Sequence, residues 1–315
     1  MSTLVITSLN ALSLGLLLFL LSAGLTLIFS MMGVLNFAHA SFYMLGAYAA
    51  YAIGARTGFF PALFLAPIAV ATLGMLVERY GLRRVHQHGH VAELLFTFGL
   101  AYLIEEIVHL AWGKAPVGYE APELLQGSVF SLYGMAFPAY RGFIMLIAVG
   151  VLAVLYLAMT RTRVGLIIQA ALTHPKMAEA LGHNVPRIFM SVFGIGVGLA
   201  GLAGAVGAPA AVTEPAMAHT VGPIVFVIIV LGGIGSLAGA FLASILVGFI
   251  QTFSVLVDVS PYQLAMSSGA TDLAAALDTE VFRITVAQLG PVLPFMVMLL
   301  VLVVRPRGLF GKREV

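Results

Sequence analysis

The chain has no cysteine and very little charge. Lys, Arg, Asp and Glu together make up 9% of its 315 residues, while 61% are hydrophobic. Without cysteine there are no disulfides and no thiolate metal sites, and the redox compartment stays open. Soluble domains carry about 25% charged residues, so a water-facing surface over the whole chain is excluded. The net charge of +2 is too small to suggest nucleic acid as a partner. Several signatures are missing too. There is no G-x-x-x-x-G-K-[ST] to hold a nucleotide and no H-E-x-x-H for a metalloprotease. No G-x-S-G surrounds a plausible nucleophile, and no regular arginine repeat suggests a voltage sensor. The chain does not read as an enzyme, and no cofactor or resident metal is expected.

Long uncharged stretches are what remains. Residues 1–55, 57–77, 142–160, 188–213, 215–257 and 284–304 contain no Lys, Arg, Asp or Glu. A run of about 18 such residues reads as a membrane crossing. In hydrocarbon its backbone must bond to itself, which makes it helical. The first run lacks a basic leader and continues far past a signal-peptide core, so it is expected to be a retained helix. The expected fold is all-α: residues 1–315 form one polytopic helical transmembrane bundle of eight or nine spans, with broken or re-entrant helices.

Eleven of the fifteen basic residues fall in three places: Arg79, Arg83 and Arg84; Arg161, Arg163, Lys176 and Arg187; and Arg305, Arg307, Lys312 and Arg313. The excess of positive charge places these segments in the cytoplasm. Connections 113–141 and 258–283 carry mostly acids and should face outward. Helices near 92–112 and 188–210 then lead out, and 142–160 and 289–305 lead in. Residues 4–55 hold either two crossings or one crossing plus a broken helix near Gly33–Asn36. Residues 215–257 hold two short crossings or a re-entrant pair broken at Leu231–Ser236. Two crossings in 4–55 put the amino terminus outside.

Irregular backbone at membrane depth survives only where protein or a water-filled path covers it. Gly33–His39 is one such break, and Asn36 and His39 can bond the backbone groups it frees. Gly232, Gly233, Gly235 and Ser236 mark the second. These residues either pack helices together or line a path. The same choice holds for Gly194, Gly198, Gly201 and Gly204, where close packing is the expected role. Glu105 and Glu106 lie inside a crossing, with His109 one turn on. They either line a hydrated path or anchor the helix near the surface. Glu93 reads as solvated at the inner interface. His86, His88 and His90 alternate in a short basic loop, and no metal site is expected there.

Arg161–Arg187 is the longest inward-facing segment. Thr173 or His174 can cap a short helix with Pro175 in its first turn, which Gly182 can end. Met177, Ala180 and Leu181 share one side, while Lys176 and Glu179 point away. Two turns of helix are not stable alone. They need either their own membrane domain or a separate cytoplasmic protein.

Four stretches carry a family resemblance: GLTLIFSMMGVLNFAHASFYMLGAYAA (24–50), VLGGIGSLAGAFLASILVG (230–248), ALTHPKMAEALGHN (171–184) and RPRGLFG (305–311). Together they resemble the membrane permeases of branched-chain amino-acid ABC importers over nearly the whole chain, in the same order. The resemblance implies a multi-pass protein of the bacterial inner membrane, in contact with lipid. It also implies a second, homologous permease, two cytoplasmic ATPases that bind the ATP, and a periplasmic substrate-binding protein. In the family the loop before the sixth crossing touches the ATPase. Within the loop 161–187, that role maps onto Pro175, Lys176, Met177, Glu179, Ala180, Leu181 and Gly182. The family also moves urea, short amides and aromatic acids, so membership does not name the solute. The Glu105–Glu106 pair departs from the uncharged amides usual there. Two rivals stand beside this reading. A proton-coupled secondary transporter would use Glu105 and Glu106, and a structural membrane protein would move nothing.

Overall fold

A computed structural model describes residues 2–132, 134–270 and 275–311. Asp272, Lys312 and Arg313 lie outside the described residues. The long helices are α1 (Ser2–Met32), α2 (His39–Thr57), α3 (Phe59–Val77), α5 (His90–Trp112), α6 (Ala139–Arg161), α9 (Val185–Gly207), α10 (Met217–Gly232), α11 (Leu237–Ser254) and α15 (Leu293–Val304). Shorter ones are α4 (Arg83–His86), α7 (Arg163–Thr173), α8 (Pro175–Ala180), α12 (Pro261–Ser267), α13 (Glu280–Arg283) and α14 (Val286–Leu289). A π-helical turn, Glu78–Leu82, joins α3 to α4. The uncharged runs of the sequence thus become helices, and the bundle is helical as expected. One element departs from an all-helical chain: strands β1 (Ser128–Leu132) and β2 (Met135–Pro138) pair antiparallel in the connection before α6. That hairpin is too short and too close to a loop to carry a hydrophobic period that would announce it.

Among the described residues, five segments are long and apolar enough to cross a membrane: Thr3–Met32, Phe59–His86, Ala139–Arg161, Val185–Ala210 and Leu237–Ser254. Helices α10 and α15 are apolar but shorter. Helix α1 has 31 residues, a length of roughly 46 Å against a hydrocarbon core of about 30 Å. It runs through the middle of the bundle, packed along α11 and α9 and touching α6 and α10. Phe19, Leu20 and Ile28 of α1, Phe42 and Tyr48 of α2 and Phe193 of α9 are fully buried around it. In hydrocarbon the gain from such contacts is close packing, not escape from water. Gly204 on α9 shows how close: a Cβ there would overlap the Tyr43 carbonyl of α2. Backbone meets backbone along that seam, so the small residues read as packing residues do pack.

The segments rich in arginine gather at one end of the bundle. Arg83 donates to the Pro186 carbonyl at 2.7 Å, beside Arg187. Leu309 and Phe310 of the terminal segment donate to the carbonyls of Leu231 and Gly232, each at 2.9 Å. Met31 of α1 packs with Met159 and Ile168 there. At the opposite end Tyr119 touches Gly54, Val117 bridges to Thr213, and Tyr140 donates to the Val206 carbonyl. The acid-bearing connections therefore lie across the bundle from the basic ones.

Candidate functional site

The chain between α1 and α2 is irregular over 33–36 and turns over 37–38, with Gly33 at φ +66°. One helix, a break and a second helix therefore occupy 2–57. The freed backbone finds side-chain partners. The Ala38 amide donates to Asn36 Oδ1 at 3.1 Å, and the Phe37 amide to Thr97 Oγ1 of α5 at 3.3 Å. His39 Nε2 donates to the Leu21 carbonyl of α1 at 3.0 Å. Asn36 Nδ2 and His39 Nδ1 are left buried with no partner.

A cavity of about 400 Å³ opens against this break. Asn36, His39, Ala40 and Ser41 form one wall, Phe98 and Tyr102 of α5 a second, and His219 and Phe226 of α10 a third. Its lining is mostly apolar with a few placed polar groups, the usual make-up of a small-molecule site.

Glu105 and Glu106 part company. Glu105 Oε2 accepts from His219 Nε2 at 2.7 Å, so its carboxylate stands behind a cavity-wall residue. Glu106 is exposed and pairs with His109 at 3.3 Å on its own helix, away from the cavity. His219 escaped the sequence reading. It is the lone titratable residue in the run 215–257, and that isolation was a usable signal.

Gly232, Gly233, Gly235 and Ser236 do not line this cavity. They form the turn between α10 and α11 at the basic end, with Gly233 at φ +98° and Gly235 at +82°. A side chain on Gly308 would run into Gly233 and the Val230 carbonyl, and the backbone of 308–310 fills that space instead. Two of the carbonyls that end α10 are thereby capped by the terminal segment. Ser236 caps α11, accepting from the Gly239 amide at 3.1 Å.

The 161–187 segment forms α7 and α8. Thr162 accepts from the Gly165 amide to start α7. Helix α8 starts at His174 without a side-chain cap, places Pro175 in its first turn and is followed by Gly182 at φ +85°. Ala178 is its buried residue, while Met177 is 68% and Leu181 78% exposed. Both edge a groove of about 330 Å³ with Leu166, Ile167 and Ala170 of α7. The protein's own helices leave this apolar face open.

Glu93 overturns the expectation of a solvated carboxylate. It is 1% exposed, and His86 and His90 both bond it, the latter at 3.1 Å. Glu78, 2% exposed, is held by Arg83 at 2.7 Å. The hairpin of the π-turn, α4 and α5 folds these partners over the acids, a contact between residues 86 and 93 that helical spacing does not announce. Two of the three alternating histidines, His86 and His90, thus serve a carboxylate, and among the described residues no cluster fit for a metal occurs.

On the other face, Glu120, Glu123, Asp278 and Glu280 are exposed. Asp278 accepts from Arg283 at 2.6 Å, and this bond, with its charge, raises the Arg283 guanidinium further.

Comparison with known proteins gives a consistent result. The family profile described as "Branched-chain amino acid transport system / permease component" matches residues 7–302. The chain is 27% identical to the high-affinity branched-chain amino acid transport system permease protein LivH of Escherichia coli K12, over 97% of this chain and 95% of that one. It is 28% identical to BraD, the corresponding permease protein of Pseudomonas aeruginosa, with the same coverage. A probable LivH of Methanocaldococcus jannaschii is 24% identical over 94% of this chain and 89% of its own. These matches identify the chain as a member of the branched-chain amino-acid transport permease family, a membrane transport subunit of an ABC importer.

Proposed function

We propose that the chain carries branched-chain amino acids, or a related small solute such as urea, a short amide or an aromatic acid, across the bacterial inner membrane. Alternating access is driven from outside the chain. The observation that carries this reading is the pairing of a polar-edged cavity at a broken helix with an unclaimed apolar face on α8. A second, homologous permease completes the pore, two cytoplasmic ATPases supply the motion, and a periplasmic binding protein delivers solute to the outer connections. Glu120, Glu123, Asp278 and Glu280 offer that protein a negative rim.

The path follows the chain as nine passes, α1, α2, α3, α5, α6, α9, α10, α11 and α15, from an outer amino terminus to an inner carboxyl terminus. Solute passes Asn36 and His39 and the Glu105–His219 pair. Closure of the ATPases pulls on Pro175–Gly182. The load passes through α7 and α9, which touch α8, to the glycine-packed seam of α9 with α2 and α3. The capped turn at Gly232–Ser236 acts as a pivot at the inner end.

Proteoliposomes holding the assembled transporter test the reading against a proton-coupled carrier. The expected result is uptake that stops with vanadate or without the ATPases and ignores a collapsed proton gradient. Uptake by the chain alone, driven by that gradient through Glu105, overturns it.

A further inference from the structure

The cavity at the helix break has two chemically opposite poles. At the first stands the bare amino terminus of α2. This helix has 19 residues and no side-chain cap, and its positive dipole end and free amides favour an anion. The Ala38 and His39 amides are bonded, but those of Ala40 and Ser41 find no partner among the described residues, and both residues wall the cavity. Asn36 points the same way independently. It is 2% exposed, its Oδ1 is fixed as acceptor from Ala38, and Nδ2 is left with two unused N–H groups. Leaving such a donor buried and unmet is costly, which is the mark of a group waiting for a ligand.

The second pole accepts. Glu105 accepts from His219 Nε2, so a ring carrying a single proton presents Nδ1 as a lone pair backed by a carboxylate. His39 gives its Nε2 proton to Leu21, leaving its own Nδ1 as a second acceptor. The poles are near each other: a Cβ on Gly222 would lie 3.3 Å from the Ala40 side chain, and His219 is one turn from Gly222 on α10. Between and around them the walls are apolar, with Leu25, Phe98, Val225, Phe226 and Phe295.

We propose that this cavity is a two-pole subsite for a small zwitterion with an apolar body. The carboxylate sits on the α2 amino terminus and Asn36 Nδ2, and the ammonium sits against His39 and the Glu105-backed His219. Specificity then resides in the permease as well as in any delivering protein. This inference rests on the cavity being the solute path.

The test uses the assembled transporter in detergent without its binding protein, and reads ligand contact by saturation-transfer NMR. The probes are leucine, 4-methylpentanoate (the same shape without the amine) and isopentylamine (without the carboxylate). Leucine is expected to bind on the order of tenfold tighter than either analogue, because each leaves one pole unmet. Glu105→Gln should erase the preference over 4-methylpentanoate, and Asn36→Asp the preference over isopentylamine. Glu106→Gln should erase neither. Equal binding of all three probes, no binding at all, or preferences that survive both substitutions overturn the two-pole site. Assembly with the ATPases and basal hydrolysis check each variant's folding, and if Asn36→Asp fails to assemble, Glu105→Gln still decides. Gly222→Trp separates the two levels in an uptake assay with the complete transporter. If that plug leaves uptake intact, the path reading fails. If it blocks uptake while the probes bind alike, the path stands and the two-pole site falls.

Discussion

At the arginine-rich end of the bundle, two carboxylates are taken out of water and bonded by neighbours in the same hairpin. Glu78 leans on Arg83, which also reaches the Pro186 carbonyl at the start of α9, so one guanidinium ties the α3–α5 hairpin to the helix that follows the coupling segment. Removing one partner of a buried pair leaves the other charge uncompensated, which costs more than the pair itself is worth. Arg83→Ala is therefore expected to destabilise the protein by about 3 kcal/mol. Adding Glu78→Gln to it should recover most of that loss, and thermal unfolding in detergent measures both. The acids were legible in the sequence as residues, but their burial was not. Glu93 sits near a cluster of basic residues and histidines that reads as wet, and only the reversal at 87–89, with Gly89 at φ +89°, brings His86 back over it.

Among the elements, the turn between α10 and α11 depends on a segment more than 70 residues later in the chain. The segment 308–310 gives α10 the caps its own sequence lacks, and Gly308, at φ +75°, lies against Gly233 with no room for a side chain. Gly308→Val must adopt a disfavoured backbone and push the turn aside, at a cost of about 2 kcal/mol or more. It should expose the 232–236 turn to limited proteolysis from the cytoplasmic side, while Phe310→Ala, at a half-exposed position, leaves it protected. The sequence showed both motifs, G-G-I-G-S and R-P-R-G-L-F-G, but not that they meet, since nothing in the local pattern of either reports the other. The break at Gly33–His39 was legible because glycine, asparagine and histidine interrupt a long apolar run. The cavity beside it was not, because its third wall comes from α10.

For the whole molecule, charge asymmetry alone predicts the sidedness, and packing brings the three arginine-rich segments to one end of the bundle. The absence of cysteine makes that arrangement directly readable. Single cysteines at Lys176 and at Leu124, both in exposed positions, should label from opposite sides with a membrane-impermeant maleimide, Leu124→Cys from the periplasm and Lys176→Cys only after lysis. The helices themselves followed from the uncharged runs. The short α10 and α15 followed too, from the runs 215–257 and 284–304, while the hairpin at 128–138 did not, because it is too short to carry a hydrophobic period.

On the proposed reading, the bundle is moved by ATPases that grip α8. The most direct measurement is uptake alongside ATP hydrolysis in the assembled transporter carrying Met177→Asp and Leu181→Asp. These changes put two charges on an apolar face and should weaken the ATPase's grip by about 2 kcal/mol or more. The account predicts that solute uptake is lost while the permease still inserts and the ATPases still hydrolyse ATP. Uptake at the unaltered rate would contradict it.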